Sequence, residues 1–99
     1  MIALIATYRA ATDEAETVAD LIGRMVAPSR AELGCSAYVP LRSREDPTEF
    51  LLYEQYTDHE ALEAHRTSPH FVDIVQRQVV PRLESRTVAL YELLDGSNS

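Results

Sequence analysis

Hydrophobic residues follow two different spacings in the first third of this chain. Residues 1–9 are almost continuously apolar, which predicts a strand buried on both faces at the centre of a sheet. Residues 18–26 carry apolar side chains at helical spacing, and Asp13 with Glu16 three residues later fits a capping box for that helix. Pro28 lies inside the same span, and we expect it to kink the helix or split it in two.

The remainder of the chain repeats the strand and helix patterns. Residues 35–42 alternate apolar and polar side chains and predict a second strand, which Pro40 should confine to a sheet edge or a bulge because proline donates no ladder hydrogen bond. Residues 48–57 predict a third strand, and Thr57 or Asp58 then caps a short helix through residue 66. Ser68 and Pro69 begin another helix, and residues 87–94 predict a fourth strand.

The order strand, helix, strand, strand, helices, strand predicts an α+β domain of the βαββαβ type. Two split βαβ units with right-handed crossovers give a four-stranded antiparallel sheet with helices on one face. With 99 residues the chain fits one domain over 1–94, followed by a flexible tail over 95–99. The uncovered sheet face would carry tyrosine and aliphatic side chains, so we expect a second copy of the chain to pack on it.

The composition and net charge limit the kinds of binding partner that we expect. The chain has 16 acidic and 9 basic residues and a formal net charge of −7, which disfavours binding to nucleic acid. No basic amphipathic helix is present, so an anionic membrane surface is not an expected partner either. A single cysteine, Cys35, excludes an intramolecular disulfide, and no apolar run reaches the roughly 18 residues of a membrane span. These features predict a cytoplasmic protein.

Several common catalytic motifs are missing from the sequence. The glycines are isolated, so there is no phosphate-binding loop and no dinucleotide fingerprint. No pair of cysteines or histidines has the spacing of a zinc site. We therefore expect no nucleotide, metal or other cofactor.

The candidate chemistry lies between residues 53 and 71. His65 follows Leu62 and Ala61 by three and four residues, so it should point from its helix toward the sheet. Glu54 lies on the strand face that carries the apolar side chains, where it can approach His65. A carboxylate beside an imidazole holds its tautomer and suits proton abstraction from a phenol near neutral pH. The alternative is a buried histidine with a structural role only, which is the more frequent case.

Three segments of the chain resemble the antibiotic biosynthesis monooxygenase (ABM) domain family. They are residues 34–38, residues 50–56 and residues 63–71, and the similarity extends over about residues 1–94. The resemblance implies a ferredoxin-like fold and a homodimer whose two sheets form a shared α/β barrel. It also implies a ligand pocket between sheet and helices, in which members oxidise polycyclic phenols or quinols to quinones with O₂ and without flavin, metal or haem.

The resemblance also assigns roles by position. His65 matches the recurrent helix histidine of the family and is the predicted proton acceptor or substrate anchor. Glu54 matches the recurrent strand glutamate and would orient His65. Tyr56 and Phe71 would form the pocket wall, with Tyr53 as a further substrate-binding candidate. The predicted function is a cofactor-independent monooxygenase that converts a small aromatic phenol or quinol to a quinone.

Two alternatives stay open at this point. One is an isomerase on the same scaffold, which needs only the acid–base pair. The other is a non-catalytic module that binds a small hydrophobic ligand. The arginines that would bind a phosphate are spread along the sequence, which favours a neutral or phenolic ligand; they are Arg42, Arg44, Arg66, Arg77 and Arg82.

Overall fold

The computed structural model describes residues 1–94, which form a four-stranded sheet with helices packed on one face. The strands are β1 (Ile2–Ala10), β2 (Cys35–Arg42), β3 (Glu49–Tyr56) and β4 (Leu83–Glu92). The helices are α1 (Ala15–Arg24), α2 (Val26–Arg30), α3 (His59–Arg66) and α4 (Phe71–Val79), and α4 has the wide π-helical winding.

The sheet has the strand order β2-β3-β1-β4, and each neighbouring pair is antiparallel. This arrangement confirms the predicted ferredoxin-like α+β fold and the interior position of β1. It also confirms that the strand containing Pro40 lies at an edge of the sheet. At an edge, the missing N–H of a proline costs no hydrogen bond between strands.

The first helical segment is divided as Pro28 predicts. α1 ends at Arg24, and α2 begins after Met25. The predicted capping box at Asp13 is wrong, because Asp13 lies in a short 3₁₀ turn and the α1 N-terminus has no side-chain cap. Glu16 instead forms an ion pair with Arg42 of β2, at 2.7 Å.

The core lies between the helices and one sheet face. Alternate residues of β1 and β3 point to this face because successive side chains of a strand alternate in direction. They pack against the apolar stripe of α1 and against Leu62 and Val79. The buried strand residues include Leu4, Ala6, Tyr8, Phe50, Leu52 and Tyr56.

The helices leave β4 uncovered. β4 begins at Leu83, four residues earlier than the predicted start, and Val88 and Leu90 on its helix-facing side are exposed. A cleft therefore remains between α4 and this edge of the sheet. The predicted flexible tail, residues 95–99, lies outside the described residues. In residues 1–94 no helix has the length and apolar character to span a membrane.

Candidate functional site

The helix α3 carries His65 into the interior. Asp58 caps its first turn by accepting a hydrogen bond from the backbone N–H of Ala61, at 2.8 Å. Leu62 and His65 are three residues apart and share the face that meets the sheet. As a result the His65 side chain is only 2 % exposed.

Strand β3 brings Glu54 to the same place. Glu54 and Tyr56 point to the helix-facing side and are buried. The Tyr56 hydroxyl donates a hydrogen bond to Oε1 of Glu54, at 2.5 Å. Nε2 of His65 lies 3.6 Å from the same oxygen, a distance longer than an ordinary hydrogen bond.

A second carboxylate, Glu32, contacts the other side of the imidazole. Nδ1 of His65 lies 2.9 Å from Oε2 and 3.0 Å from Oε1 of Glu32. Because a carboxylate accepts hydrogen bonds, Nδ1 carries the proton and Nε2 keeps its lone pair on the Glu54 side. The contact that orients His65 therefore comes from Glu32, whereas Glu54 had been assigned that role. Glu32 lies in the turn before β2, where no periodic pattern marks it.

His70 joins this group. It stands at the N-terminus of α4, and its Nε2 also forms a short hydrogen bond with Oε2 of Glu32. Ser68 fixes the corner between α3 and α4, since its hydroxyl donates to the carbonyl of His65 at 2.7 Å and accepts from the N–H of Phe71 at 3.2 Å. The two histidines are five residues apart, a spacing that gave no indication of a shared partner.

A pocket of about 280 Å³ opens beside this cluster. Its most buried lining residues are Leu4, Ala6, Tyr8, Glu54 and His65, whereas Val88 of β4 lies at the exposed end. The ring of Phe71 meets His65 edge to face with 5.2 Å between ring centroids. Since Glu54 lines the pocket and Glu32 does not, Nε2 is the imidazole nitrogen on the pocket side. The volume suits a small ligand.

Burial shifts the acid–base behaviour of the pair. Desolvation raises the pKa of Glu54 to about 7, although the Tyr56 hydrogen bond opposes this change and the charge of Glu32 adds to it. Desolvation lowers the pKa of His65, against the opposing effect of Glu32. Near neutral pH the imidazole is therefore neutral, and Glu54 is present in both protonated and ionised forms.

The remaining predicted residues separate into those inside and outside the site. Phe71 lines the pocket as expected. Tyr56 does not line it and instead supports Glu54 through its hydroxyl. Tyr53 lies on the opposite sheet face, where side-chain alternation places it, and its hydroxyl donates to Oε1 of Gln55 at 2.8 Å. Tyr53 is thus excluded from this pocket.

Two arginines line the pocket despite their distance in sequence. Arg66 follows His65 directly, and Arg86 comes from the uncovered strand β4 with its guanidinium 5.7 Å from the ring centroid of Tyr8. The fold thus brings Arg66 together with Arg86, which is not among the five arginines noted from the sequence, and both line the pocket.

The protein thus has a ferredoxin-like α+β fold, and a histidine and a glutamate are buried beside a pocket between its sheet and helices. The resemblance of the sequence to the ABM family implied this fold and a pocket in this place. The sequence profile of the antibiotic biosynthesis monooxygenase family matches residues 1–77. The chain belongs to this family.

Individual relatives agree with this assignment. Rv0793 of Mycobacterium tuberculosis, whose name places it provisionally among the monooxygenases, is 36% identical over 89 residues, which cover 90% of this chain and 85% of that protein. Its solved structure superimposes with a TM-score of 0.89 and 32% identity, covering 97% of both chains. The crystal structure of PA3566 from Pseudomonas aeruginosa gives a TM-score of 0.88 with 35% identity, covering 94% of this chain and 93% of that one.

Proposed function

We propose that this protein is a cofactor-independent monooxygenase that oxidises a small aromatic phenol or quinol to a quinone with O₂. His65 is the proton acceptor, and Glu54 is the second catalytic group. The observation that carries the proposal is the position of Nε2 of His65, with its lone pair, on the pocket side and 3.6 Å from Glu54.

The pocket provides what this reaction needs from a protein. Leu4, Ala6 and Phe71 form apolar walls that fit an aromatic ring, and they reduce the water around the reacting atoms. The neutral imidazole removes the phenolic proton, a step for which a positioned base is worth about 10²–10⁴ in rate. Arg66 and Arg86 provide positive charge for the phenolate that forms.

The reaction balances without a further reductant. For a phenol with a free ring carbon, the phenolate supplies the electrons that reduce O₂, and one oxygen atom forms a bond to that carbon. The O–O bond then breaks, and the second oxygen leaves as water with the hydrogen lost from the ring carbon and the proton held by His65. A phenol and O₂ thus give a quinone and water, and a quinol with a free ring carbon gives a hydroxyquinone and water by the same steps.

The functional unit that we propose is a homodimer. The sheet face opposite the helices carries Ile5, Leu51 and Tyr53 in its centre, and Leu41 and Tyr91 nearer its edges. Leu41 is 50 % exposed and extends this contiguous apolar surface, and contiguous apolar surfaces mark interaction sites. Packing of the two sheets face to face would bury this apolar surface in both copies.

Oxygen consumption tests the proposed reaction. Purified protein is assayed with one- to three-ring phenols and quinols under air and under nitrogen, with buffer blanks for autoxidation, and ¹⁸O₂ tests whether the quinone gains one labelled atom. We expect His65→Ala to lose about 10²–10⁴ in rate. The control is His59→Ala, on the same helix, where His59 is exposed and faces Glu63. Turnover that continues under nitrogen, or equal rates for wild type and His65→Ala, contradicts the proposal.

An isomerase is the second candidate, and the two pocket arginines favour it. Arg66 and Arg86 would bind an anionic substrate while His65 and Glu54 move a proton between two of its carbons. This reaction needs no oxygen. The same assays under nitrogen, with ¹H NMR in D₂O to detect exchange of a substrate C–H, separate it from the oxidation.

A further inference from the structure

The far side of His65 belongs to a second cluster outside the pocket. Nδ1 of His65, Nε2 of His70 and a carboxylate oxygen of Glu32 all lie within 4.8 Å of one another. Glu32 and His70 do not line the pocket, so the proposed oxidation leaves them without a direct part.

The geometry points to a binding site for one divalent first-row transition metal ion, of the Zn²⁺ type, held by Glu32, His65 and His70. Imidazole nitrogen and carboxylate oxygen are the ligands such ions prefer, and two histidines with one carboxylate leave coordination positions for water. An ion about 2.1 Å from each ligand requires ligand atoms roughly 3.0–3.4 Å apart. The contact of His65 with Glu32, at 2.9 Å, is already close to that spacing.

The three ligands come from parts of the chain that the fold holds in place. Glu32 belongs to the turn before β2, His65 to the last turn of α3 and His70 to the start of α4. The hydroxyl of Ser68 ties the two histidine-bearing segments together. Small movements of the His70 and Glu32 side chains would therefore complete the coordination with little loss of conformational freedom.

The cluster is also accessible from outside. The side chains of Glu32 and His70 are 14% and 21% exposed, whereas that of His65 is 2% exposed. An ion can thus enter from the Glu32 and His70 side and keep water on its open positions, while His65 forms the inner wall. The sequence carries no zinc motif because the carboxylate ligand lies 33 residues before His65.

Metal binding would change the chemistry of the pocket, and this consequence rests on the proposed function. A metal on Nδ1 displaces the proton there, and the neutral imidazole then carries its proton on Nε2. Nε2 becomes a donor and can no longer accept a proton from substrate. A bound ion and the proposed base therefore compete for one side chain.

Metal titration of the substrate-free protein tests the site. After treatment with a chelator, the protein is titrated with Co²⁺ and Zn²⁺, with visible absorption and calorimetry as readouts. We expect one ion per chain with about micromolar affinity. His70→Ala and Glu32→Ala should each weaken binding at least about tenfold. His59→Ala, which alters a histidine outside the cluster, should bind as wild type does.

The outcomes separate this site from the proposed reaction. Absence of saturable binding, or unchanged affinity in His70→Ala, overturns the metal site, whatever the oxidation assays show. Because Glu32→Ala removes a partner of a buried histidine, circular dichroism checks its folding, and His70→Asn at the more exposed ligand provides a second variant. Oxidation measured with chelator present tests the reaction alone.

Discussion

Gly34 lies where the turn that carries Glu32 passes close to the helix that carries His65. Its φ is +89°, and a Cβ at this position would lie 2.6 Å from Cβ of Ala61 and 2.9 Å from Oγ1 of Thr57. Both the left-handed backbone and the crowding exclude a side chain here. The backbone carbonyl of Gly34 also accepts a hydrogen bond from Thr57, at 2.8 Å.

We predict that Gly34→Ala lowers the free energy of unfolding by about 2–4 kcal/mol. The matched control is Gly23→Ala in α1, where an added Cβ meets no atom within 4 Å. That change should raise stability by roughly 0.5–1 kcal/mol, because alanine loses less conformational freedom in a helix. Urea denaturation of both variants measures the difference, and equal stabilities would contradict the steric argument.

At the site, periodicity predicts residues that lie on regular elements and fails for the others. The approach of His65 to Glu54 was predicted correctly. Helical spacing points His65 toward the sheet, and strand alternation points Glu54 toward the helices. Glu32 could not be predicted, since a turn residue has no periodic signal and its partner is 33 residues away. The position of Tyr53 outside the site follows from strand alternation, which separates it from Glu54 by one residue.

At the scale of elements, the first three strands and α3 were predicted closely, whereas the starts of α1 and β4 were not. β1 and β3 differ from their predicted bounds by one residue at each end, because long apolar runs define them. The start of β4 was missed because residues 83–86 are largely polar, and the exposed edge strand tolerates them. The capping pattern at Asp13 is a short local signal, and the ion pair of Glu16 with Arg42 replaces it.

The turn between β2 and β3 is held by a carboxylate. Asp46 accepts hydrogen bonds from the N–H and hydroxyl of Thr48, at 3.0 and 2.6 Å, and pairs with Arg9 at 2.6 Å. The Thr48 hydrogen bonds and the Arg9 guanidinium lower the pKa of Asp46 from 3.8 to about 2. A carboxyl with a depressed folded-state pKa contributes stability above its unfolded pKa and loses it as the pH falls through the folded value.

We predict that Asp46→Asn is less stable than wild type at pH 6 and that this gap closes as the pH falls from about 4 to 2. The asparagine keeps an acceptor oxygen for Thr48, so the gap reports the charge. Unfolding by urea at a series of pH values measures it. Glu45→Gln, at the exposed neighbouring position, serves as the control and should show no such trend. A gap that is constant with pH would contradict the role of Asp46.

The whole molecule has one covered and one open sheet face, and a core of this size leaves little stability in reserve. The helix-covered face encloses the pocket, while the open face is largely apolar. Two chains of net charge −7 repel each other, so association must come from this apolar surface and not from overall charge. The proposed dimer therefore depends on single apolar residues of the open face.

We predict that Leu41→Glu prevents formation of the proposed homodimer and leaves a monomer. Leu41 lies on the open face beside Leu51, and a carboxylate there would be buried against the second sheet without a partner. The monomer itself should fold normally, because the side chain is half exposed within one chain. The matched control is Leu33→Glu, at a 97% exposed leucine that lies in the turn before β2 and not on a strand. Light scattering coupled to size exclusion should give a dimer mass for wild type and Leu33→Glu and a monomer mass for Leu41→Glu. A wild-type monomer, or a dimer that survives Leu41→Glu, would show that this face is not the interface.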